Sequence, residues 1–509
     1  MNNNIKKLSR RDFLQITAGS IAMLGLSGLG NCVDSRRTKM NILFIAVDDL
    51  RPQLGCYGYH QMISPNIDKI ASEGVIFERA YCQQAICSPS RISLLSGMRC
   101  ETTKIYGLIN HLDDKWPDIV SLPHHFKNHG YETISIGKIY HHNDDDLAAW
   151  TREPFGAMEG SGYITEEAKK LVEANRATNP NAGTKGPVTE MADVPDNSYS
   201  DGKLADRAIE ELRRIGNKPF FLAVGFRKPH LPFTAPKKYW ELYEPKELKL
   251  APNPYPPKGA TPYTMSNFGE LRNYYQMPKG KEPVDDNLAR HLIHGYYACV
   301  SFIDAQVGRI MNELERLKLK ENTVVILWGD HGWKLGEHGS WCKHTDFEID
   351  CNAPLIISVP GLENQGRKTS ALTEFVDIYP SLCELCGLPI PDHLEGISFV
   401  PLLKDPIRTW KKAAFSIWVE KKYRYNLETQ IIGYAMKTDR YRYIEWKHTL
   451  SGEIKARELY DHQVDPQENV NVINDPQYAN EVKLLEQMMK SGWKGTLPGK
   501  MPPQIQGEP

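Results

Sequence analysis

The sequence predicts an α/β fold with a large, mostly parallel central sheet, followed by a small C-terminal α+β subdomain. Three observations predict it. From Met40 onward, short β-branched or aromatic runs alternate with stretches of helical period, the pattern of βαβ units. Charged residues recur directly after those runs, at the edge where an open parallel sheet gathers its ligands. After Pro401 the pattern changes to alternating strands and a late amphipathic helix.

Taken in order, residues 1–31 read as an export signal. A basic start (Lys6, Lys7, Arg10, Arg11) precedes the uncharged, small-residue-rich stretch Phe13 to Gly30, and Ser9-Arg10-Arg11-Asp12-Phe13-Leu14 is similar to a twin-arginine signal. The expected location is therefore the periplasm. That stretch is short and weakly apolar for a bilayer span, so no transmembrane segment is expected. Leu29-Gly30-Asn31-Cys32 is a candidate lipoprotein box with a lipid anchor at Cys32, although Asn31 is unusual before such a cysteine.

Five runs read as strands: Asn41 to Val47, Thr133 to Ile136, Phe220 to Phe226, Thr323 to Trp328 and Leu355 to Val359. Leu204, Ala208, Leu212 and Ile215 share one helical face before a stop at Gly216, and Asp286 to Leu319 is helical by the same test. Asn143 to Ser200 shows little periodicity and many Gly, Asn, Pro and Asp residues, which predicts a long surface excursion shaping the mouth of a site. A second, proline-rich excursion runs from Pro252 to Pro283. Ile432 to Trp446 reads as paired strands and Val482 to Met489 as a helix. The expected boundaries are a catalytic domain at 40–404 and a subdomain at 405–509.

Composition narrows the function classes. Across 509 residues, 62 Lys+Arg face 63 Asp+Glu, a net charge of -1, which argues against a nucleic-acid binder with its basic excess. With 41% hydrophobic residues the chain can bury a large core, which excludes disorder and a multispan membrane protein. Ten cysteines are too few for a disulfide scaffold, so any special cysteine must be picked out by its neighbours. Cys383-x-x-Cys386 lies in a helical run without a second ligand pair and reads as core packing. After export, Cys56, Cys82, Cys100, Cys299, Cys342 and Cys351 offer material for one or two disulfides, with no pairing assigned.

Four strands deliver polar residues to one edge: Asp48-Asp49, Lys138 and His141, Arg227-Lys228-Pro229-His230, and Asp330-His331. Adjacent carboxylates at a strand end repel each other and call for a cation or firm hydrogen bonds. Asp48, Asp49 and Asp330 are hard oxygen ligands. His331 is either a fourth ligand or a neighbour of an anion above the metal, and the set suits calcium or magnesium better than zinc. Cys87, in Cys87-Ser88-Pro89-Ser90-Arg91, stands just before a helix start, where free amides and the dipole favour an anion. No Cys-His-Asn pattern accompanies it.

The motif Cys-x-Pro-Ser-Arg at 87–91, with Leu95-Ser96-Gly97 following, is similar to the signature of type I sulfatases, whose cysteine is oxidised to formylglycine (3-oxoalanine). The resemblance spans most of residues 40–475 and runs closest to the iduronate 2-sulfatase branch of the family. It includes Asn41 to Pro52, Gly137 to His141, Phe221 to Phe233, Asp330 to Lys343, and the closing pair Glu458-Leu459-Tyr460-Asp461 and Asp465 to Asn469. It implies an alkaline-phosphatase-like sandwich, one divalent cation (calcium, with magnesium as the alternative), a formylglycine-generating maturation enzyme as partner, and a sulfated carbohydrate as substrate.

By that resemblance Asp48, Asp49, Cys87, Asp330 and His331 hold the cation, and Arg91 supports the aldehyde hydrate. Lys138 and Lys343 neutralise sulfate oxygens, His141 is the base, and His230 is the acid. Lys228 and His344 belong to the substrate side, and Trp333 either lines the sugar pocket or packs against the sheet. His344 stands where the resemblance leads one to expect tyrosine, and Glu348-Ile349-Asp350 also differ, which opens the question of the exact sugar. The leading expectation is the 2-O-sulfate of a hexuronate, from a glycosaminoglycan or an ulvan-type algal glycan. A phosphatase or phosphodiesterase of the same superfamily, and a non-catalytic glycan-binding relic, are the alternatives; Cys87 and the single hard-metal set weigh against the first, and the occupation of every expected catalytic position against the second.

Overall fold

The computed structural model describes residues 39–142, 145–156, 162–216, 218–280, 282–419 and 431–499. The export signal at 1–31 and Cys32 lie outside the described residues. Seven strands make the central sheet: β1 (Asn41–Val47), β2 (Val75–Phe77), β3 (Glu132–Gly137), β4 (Phe220–Phe226), β5 (Thr323–Gly329), β6 (Leu355–Ser358) and β7 (Arg367–Thr369), in the order β7-β2-β6-β5-β1-β4-β3. Neighbours on both sides of β1 run parallel to it, with Ile45 opposite Val224 on β4 and Leu327 on β5. The exception is β6, antiparallel to both β5 and β2. All five expected strands are present; β2 and β7, three residues each at the far edge, are too short to leave a periodic signal in the sequence.

The sheet is buried on both faces, which is why its central strands read as unbroken apolar runs. Leu43, Ile45 and Val47 enter one core with helices α1 (Ser200–Ile215) and α2 (Asp286–Arg316). Ile42, Phe44 and Ala46 point the other way, into a core shared with the helices Cys87–Ser96 and Ile378–Leu385. Alternation along one strand thus holds two helical layers apart and produces the sandwich.

The excursion 143–200 departs from expectation because it holds a helix, Glu166–Thr178, capped by the Thr165 hydroxyl, which accepts from the Ala168 amide at 3.2 Å. Only Ala168, Val172 and Asn175 of that helix are buried, too few apolar positions to register as a period.

From Met40 onward the described residues belong to one compact unit. Its C-terminal part is a four-stranded antiparallel meander, Ala414–Val419, Ile431–Lys437, Tyr441–His448 and Ile454–Asp461, covered on one face by helix Ala479–Gly495 through Leu485 and Met489. The opposite face, with Trp418, Ile444, Trp446 and Tyr460, packs on Phe347 and on Ile86, the neighbour of Cys87. No helix among the described residues is long and apolar enough to cross a membrane.

Candidate active site

The carboxyl ends of β1, β3, β4 and β5 open into a cavity of about 600 Å3, lined by Asp48, Cys87, Lys138, His141, His230 and Lys343 among others. Each strand stops there for a local reason. β1 turns at Asp49, which adopts a left-handed conformation (φ 60°), and the Tyr296 hydroxyl from α2 fixes the turn by donating to the Asp49 carbonyl (2.8 Å) while accepting from the Arg51 amide (3.0 Å). β3 ends against Gly225 of β4, where a side chain would collide with the Lys138 carbonyl. Only glycine permits that approach.

Cys87 opens the helix Cys87–Ser96, 3% exposed, with its Sγ 3.4 Å from His331 Nε2. Arg91, one turn along, is buried and spends its fork on the site's frame. Nε donates to Asp330 Oδ2 (2.9 Å), Nη1 to the Lys138 and Ile139 carbonyls, and Nη2 reaches Asp48 Oδ1 (3.4 Å). A lysine would satisfy one of these acceptors at a time. Lys138 donates to Asp48 Oδ2 at 2.6 Å, and Lys343 to both oxygens of Asp49 at 2.9 and 3.1 Å.

Burial pushes the Asp48 carboxyl up, but Lys138, His230 and Arg91 outweigh it and hold it well below the usual range. At Asp49 burial wins over Lys343, and its carboxyl is raised. Burial, with Asp48 adding to it, pushes the Cys87 thiol well up, so the site does not stabilise a free thiolate. His141, largely buried beside Lys138, is pushed down to about 2, which keeps its imidazole neutral. Among the described residues its Nδ1 has no hydrogen-bond partner.

The donor set fits a hard cation. Oxygens of Asp48, Asp49 and Asp330, Cys87 Sγ and His331 Nε2 fall into overlapping groups whose members lie within 4.8 Å of one another. His331 donates its Nδ1 proton to the Gly332 carbonyl (2.9 Å), which turns Nε2 toward Asp49 Oδ1 (3.5 Å) and Asp330 Oδ1 (3.7 Å). Acceptors facing acceptors in a buried site are the surroundings a divalent ion needs.

The three substrate-side residues Trp333, Lys228 and His344 sit in different surroundings. Trp333 does not line the cavity: it is 1% exposed, packs in the core, and lies under Lys343, whose ammonium is 4.8 Å from its ring centroid. Lys228 borders the cavity, but its ammonium is taken by the His230 and Pro232 carbonyls at 2.7 and 2.6 Å, so it shapes the loop that carries His230. His344 does line the cavity and packs tilted against Trp418, with ring centroids 5.5 Å apart.

One residue of the site escaped the sequence. Glu270, from the proline-rich excursion, places one oxygen 2.9 Å from His230 Nε2 and the other 3.1 Å from Lys343 Nζ. Its four-residue helix, Gly269–Arg272, gives no periodic signal. The nine cysteines among the described residues are all free thiols.

Comparison with known proteins places this architecture. The family model for sulfatases matches residues 40–388, and one described as N-sulphoglucosamine sulphohydrolase, C-terminal, matches residues 336–494. Mouse (Mus musculus) iduronate 2-sulfatase is 32% identical over 521 aligned residues, covering 88% of this chain and 93% of that protein. A sulfatase of Formosa agariphila is 31% identical, covering 91% and 90%. A solved structure of a protein in complex with its substrate D-glucosamine-2-N,6-O-disulfate superposes with a TM-score of 0.70 at 23% identity, covering 90% of this chain and 98% of the other. The fold is the alkaline-phosphatase-like sandwich shared by these structures.

Proposed function

The chain belongs to the sulfatase family and is a sulfuric ester hydrolase; from that premise we propose that it hydrolyses sulfate esters of a polysaccharide or its oligosaccharides, with formylglycine at position 87 as nucleophile. The observation that carries the reading is the convergence of the Cys87 side chain, three buried carboxylates and two lysines on one cavity.

Asp48, Asp49, Asp330, His331 and residue 87 would hold one divalent cation, calcium or magnesium. When bound, such an ion makes the hydrate of residue 87 easier to ionise and offsets the sulfate's negative charge. Arg91 orients the hydrate and keeps Asp48 and Asp330 in place. Lys138 and Lys343 match the charge on the sulfate oxygens as it moves in the transition state. One hydroxyl of the hydrate, its proton lost to solvent, attacks sulfur as the alkoxide. The bond from sulfur to the sugar oxygen breaks, and His230 supplies the proton that the departing oxygen takes up. His141, held neutral by burial, then takes the proton of the second hydroxyl; the C–O bond to sulfate breaks, the aldehyde re-forms, and water restores the hydrate.

The relative named iduronate 2-sulfatase supports the 2-O-sulfate of a hexuronate as the group removed, from a glycosaminoglycan or an ulvan-type glycan. A cavity of this size suits the end of a chain, an exo mode of action. We place the catalytic domain at 40–404 and its subdomain at 405–509, and propose export to the periplasm through the segment 1–31. Maturation requires a formylglycine-generating enzyme in the producing host. Mass spectrometry of the peptide containing Cys87, from protein made with that enzyme, is expected to show the aldehyde or its hydrate. Active protein carrying only the thiol would overturn the mechanism, as would sulfate release by Cys87→Ala at the wild-type rate.

A further inference from the structure

Arg227 follows the last residue of β4 as Asp48 follows the last residue of β1. The strands are parallel neighbours with Phe226 opposite Val47, and the ladder continues from the Asp48 amide to the Phe226 carbonyl at 3.1 Å, so Asp48 and Arg227 stand side by side at the functional edge. Alternation gives them the same face. Ile42, Phe44 and Ala46 on β1, and Phe221 and Ala223 on β4, enter the core that also receives the helix Cys87–Ser96. Both residues line the catalytic cavity. The Arg227 backbone is fixed: its amide donates to Asp201 Oδ1 at 2.6 Å, and its carbonyl accepts from the His230 amide at 2.9 Å.

Its guanidinium, by contrast, is open. Arg91 and Lys138 donate to Asp48, Lys343 to Asp49, and Lys228 to carbonyls of its own loop. Lys185, the remaining cation of the wall, lies 5.9 Å from the centroid of the Tyr274 ring. Among the described residues, no group accepts a hydrogen bond from the Arg227 guanidinium and no carboxylate pairs with it, yet none of its nitrogens is sealed from solvent. Burial lowers its pKa, and Asp48 and Asp201 offset that only in part. An enclosed cation short of an anion is stabilised by a ligand that brings one. The scissile sulfate carries one negative charge, which Lys138 and Lys343 are placed to match. Arg227 is a cation beyond that pair, and a guanidinium fork takes a carboxylate or a sulfate through two parallel N–H···O bonds. We infer that Arg227 selects substrates that carry a second acidic group, a carboxylate or a further sulfate, close to the ester that is cleaved; this rests on the sulfatase reading of the cavity.

The test compares sulfate release from two pairs of disaccharides by wild type, Arg227→Gln and Arg227→Lys. In one pair the sulfated sugar is a hexuronate 2-sulfate or the same sugar with its carboxylate reduced to an alcohol; in the other it is a hexosamine carrying two sulfates or one. In wild type, kcat/KM is expected to favour the doubly acidic member of at least one pair by about 10-fold to 100-fold, the worth of a charge-assisted hydrogen-bonded pair. Arg227→Gln should erase that preference, mainly through KM. If Arg227→Gln does not fold, Arg227→Lys is expected to show the same preference reduced, because a single point donor replaces the fork. The pair that loses its preference identifies the second group as carboxylate or sulfate. The inference is overturned if wild type shows no preference in either pair, or if its preference survives in Arg227→Gln. Turnover of 4-nitrophenyl sulfate by wild type is assayed alongside. If it occurs while neither pair shows a preference, the sulfatase reading stands and this inference alone falls; if no substrate is turned over, both fall.

Discussion

His230 Nε2 lies 2.9 Å from Glu270 Oε1, while its Nδ1 lies 2.6 Å from the Leu231 carbonyl. Both ring nitrogens are thus engaged, one by a side chain from a distant segment and one by the backbone of the next residue. Glu270 itself is held well below the usual carboxylate range: burial pushes it up, and Lys343 and His230 outweigh that. A carboxylate on the cavity wall thus fixes the orientation of the His230 ring.

The leaving group provides the check on this acid. His230→Ala is expected to lower kcat on a sugar sulfate by about 10^2 to 10^4. An aryl sulfate such as 4-nitrophenyl sulfate is expected to lose far less, because its phenolate departs without protonation. Glu270→Gln should show the same ordering with smaller losses. Equal losses on both substrates would assign His230 to binding instead.

Chelation tests the carboxylate cluster. With Asp48, Asp49 and Asp330 gathered around Cys87 and His331, the cluster without an ion is a set of mutually repelling carboxylates restrained by Arg91, Lys138 and Lys343. Removal of divalent ions is therefore expected to abolish turnover and lower the thermal midpoint, and readdition of calcium or magnesium to restore both. Comparing the two ions identifies which one the site prefers. Full activity after exhaustive chelation would reject the metal reading.

Much of this arrangement was legible because it is written at strand ends. A strand buried on both faces is a plain apolar run, so the first charged residue after it marks the functional edge, as Asp48 does after Val47 and Asp330 after Gly329. What escaped depends on contacts distant in sequence. Glu270 reaches His230 across 40 positions from a segment with no repeat. Lys228 follows a strand like Asp48 does, yet its ammonium folds back on carbonyls of its own loop, a distinction that only coordinates make. Trp333 reads equally well as wall or core in sequence, and packing decides for core.

His344 offers a test of sugar choice. It lines the cavity with a left-handed backbone (φ 93°) and packs against Trp418 of the C-terminal sheet, which holds its ring on the cavity wall. His344→Tyr is expected to shift kcat/KM among sulfated oligosaccharides by about 10-fold to 200-fold, the range a single pocket contact provides. Turnover of 4-nitrophenyl sulfate, which lacks the sugar, should change little. A uniform change across all substrates would place His344 in the chemistry instead.

Stability against acid should depend on Glu374, far from the cavity. Its carboxylate receives both Nη atoms of Arg99 (2.6 and 2.8 Å), Lys411 Nζ (2.7 Å) and the Phe415 amide (2.9 Å), which ties the segment after the Cys87 helix to the C-terminal sheet. Burial raises this carboxyl, but Arg99 and Lys411 outweigh it and hold it at about 2. A folded-state value below the unfolded one, about 4.3, means that the stabilisation is complete above pH 4.3 and is lost as pH falls toward 2. Glu374→Gln leaves two buried cations short of a partner, at an expected cost of about 3–5 kcal/mol at neutral pH. Denaturant unfolding of wild type and variant across pH 2.5 to 7 checks this: the gap between them should be widest at neutral pH and narrow steadily below about pH 4.3. A gap that stays constant with pH would mean that shape, not charge, carries the contribution of Glu374.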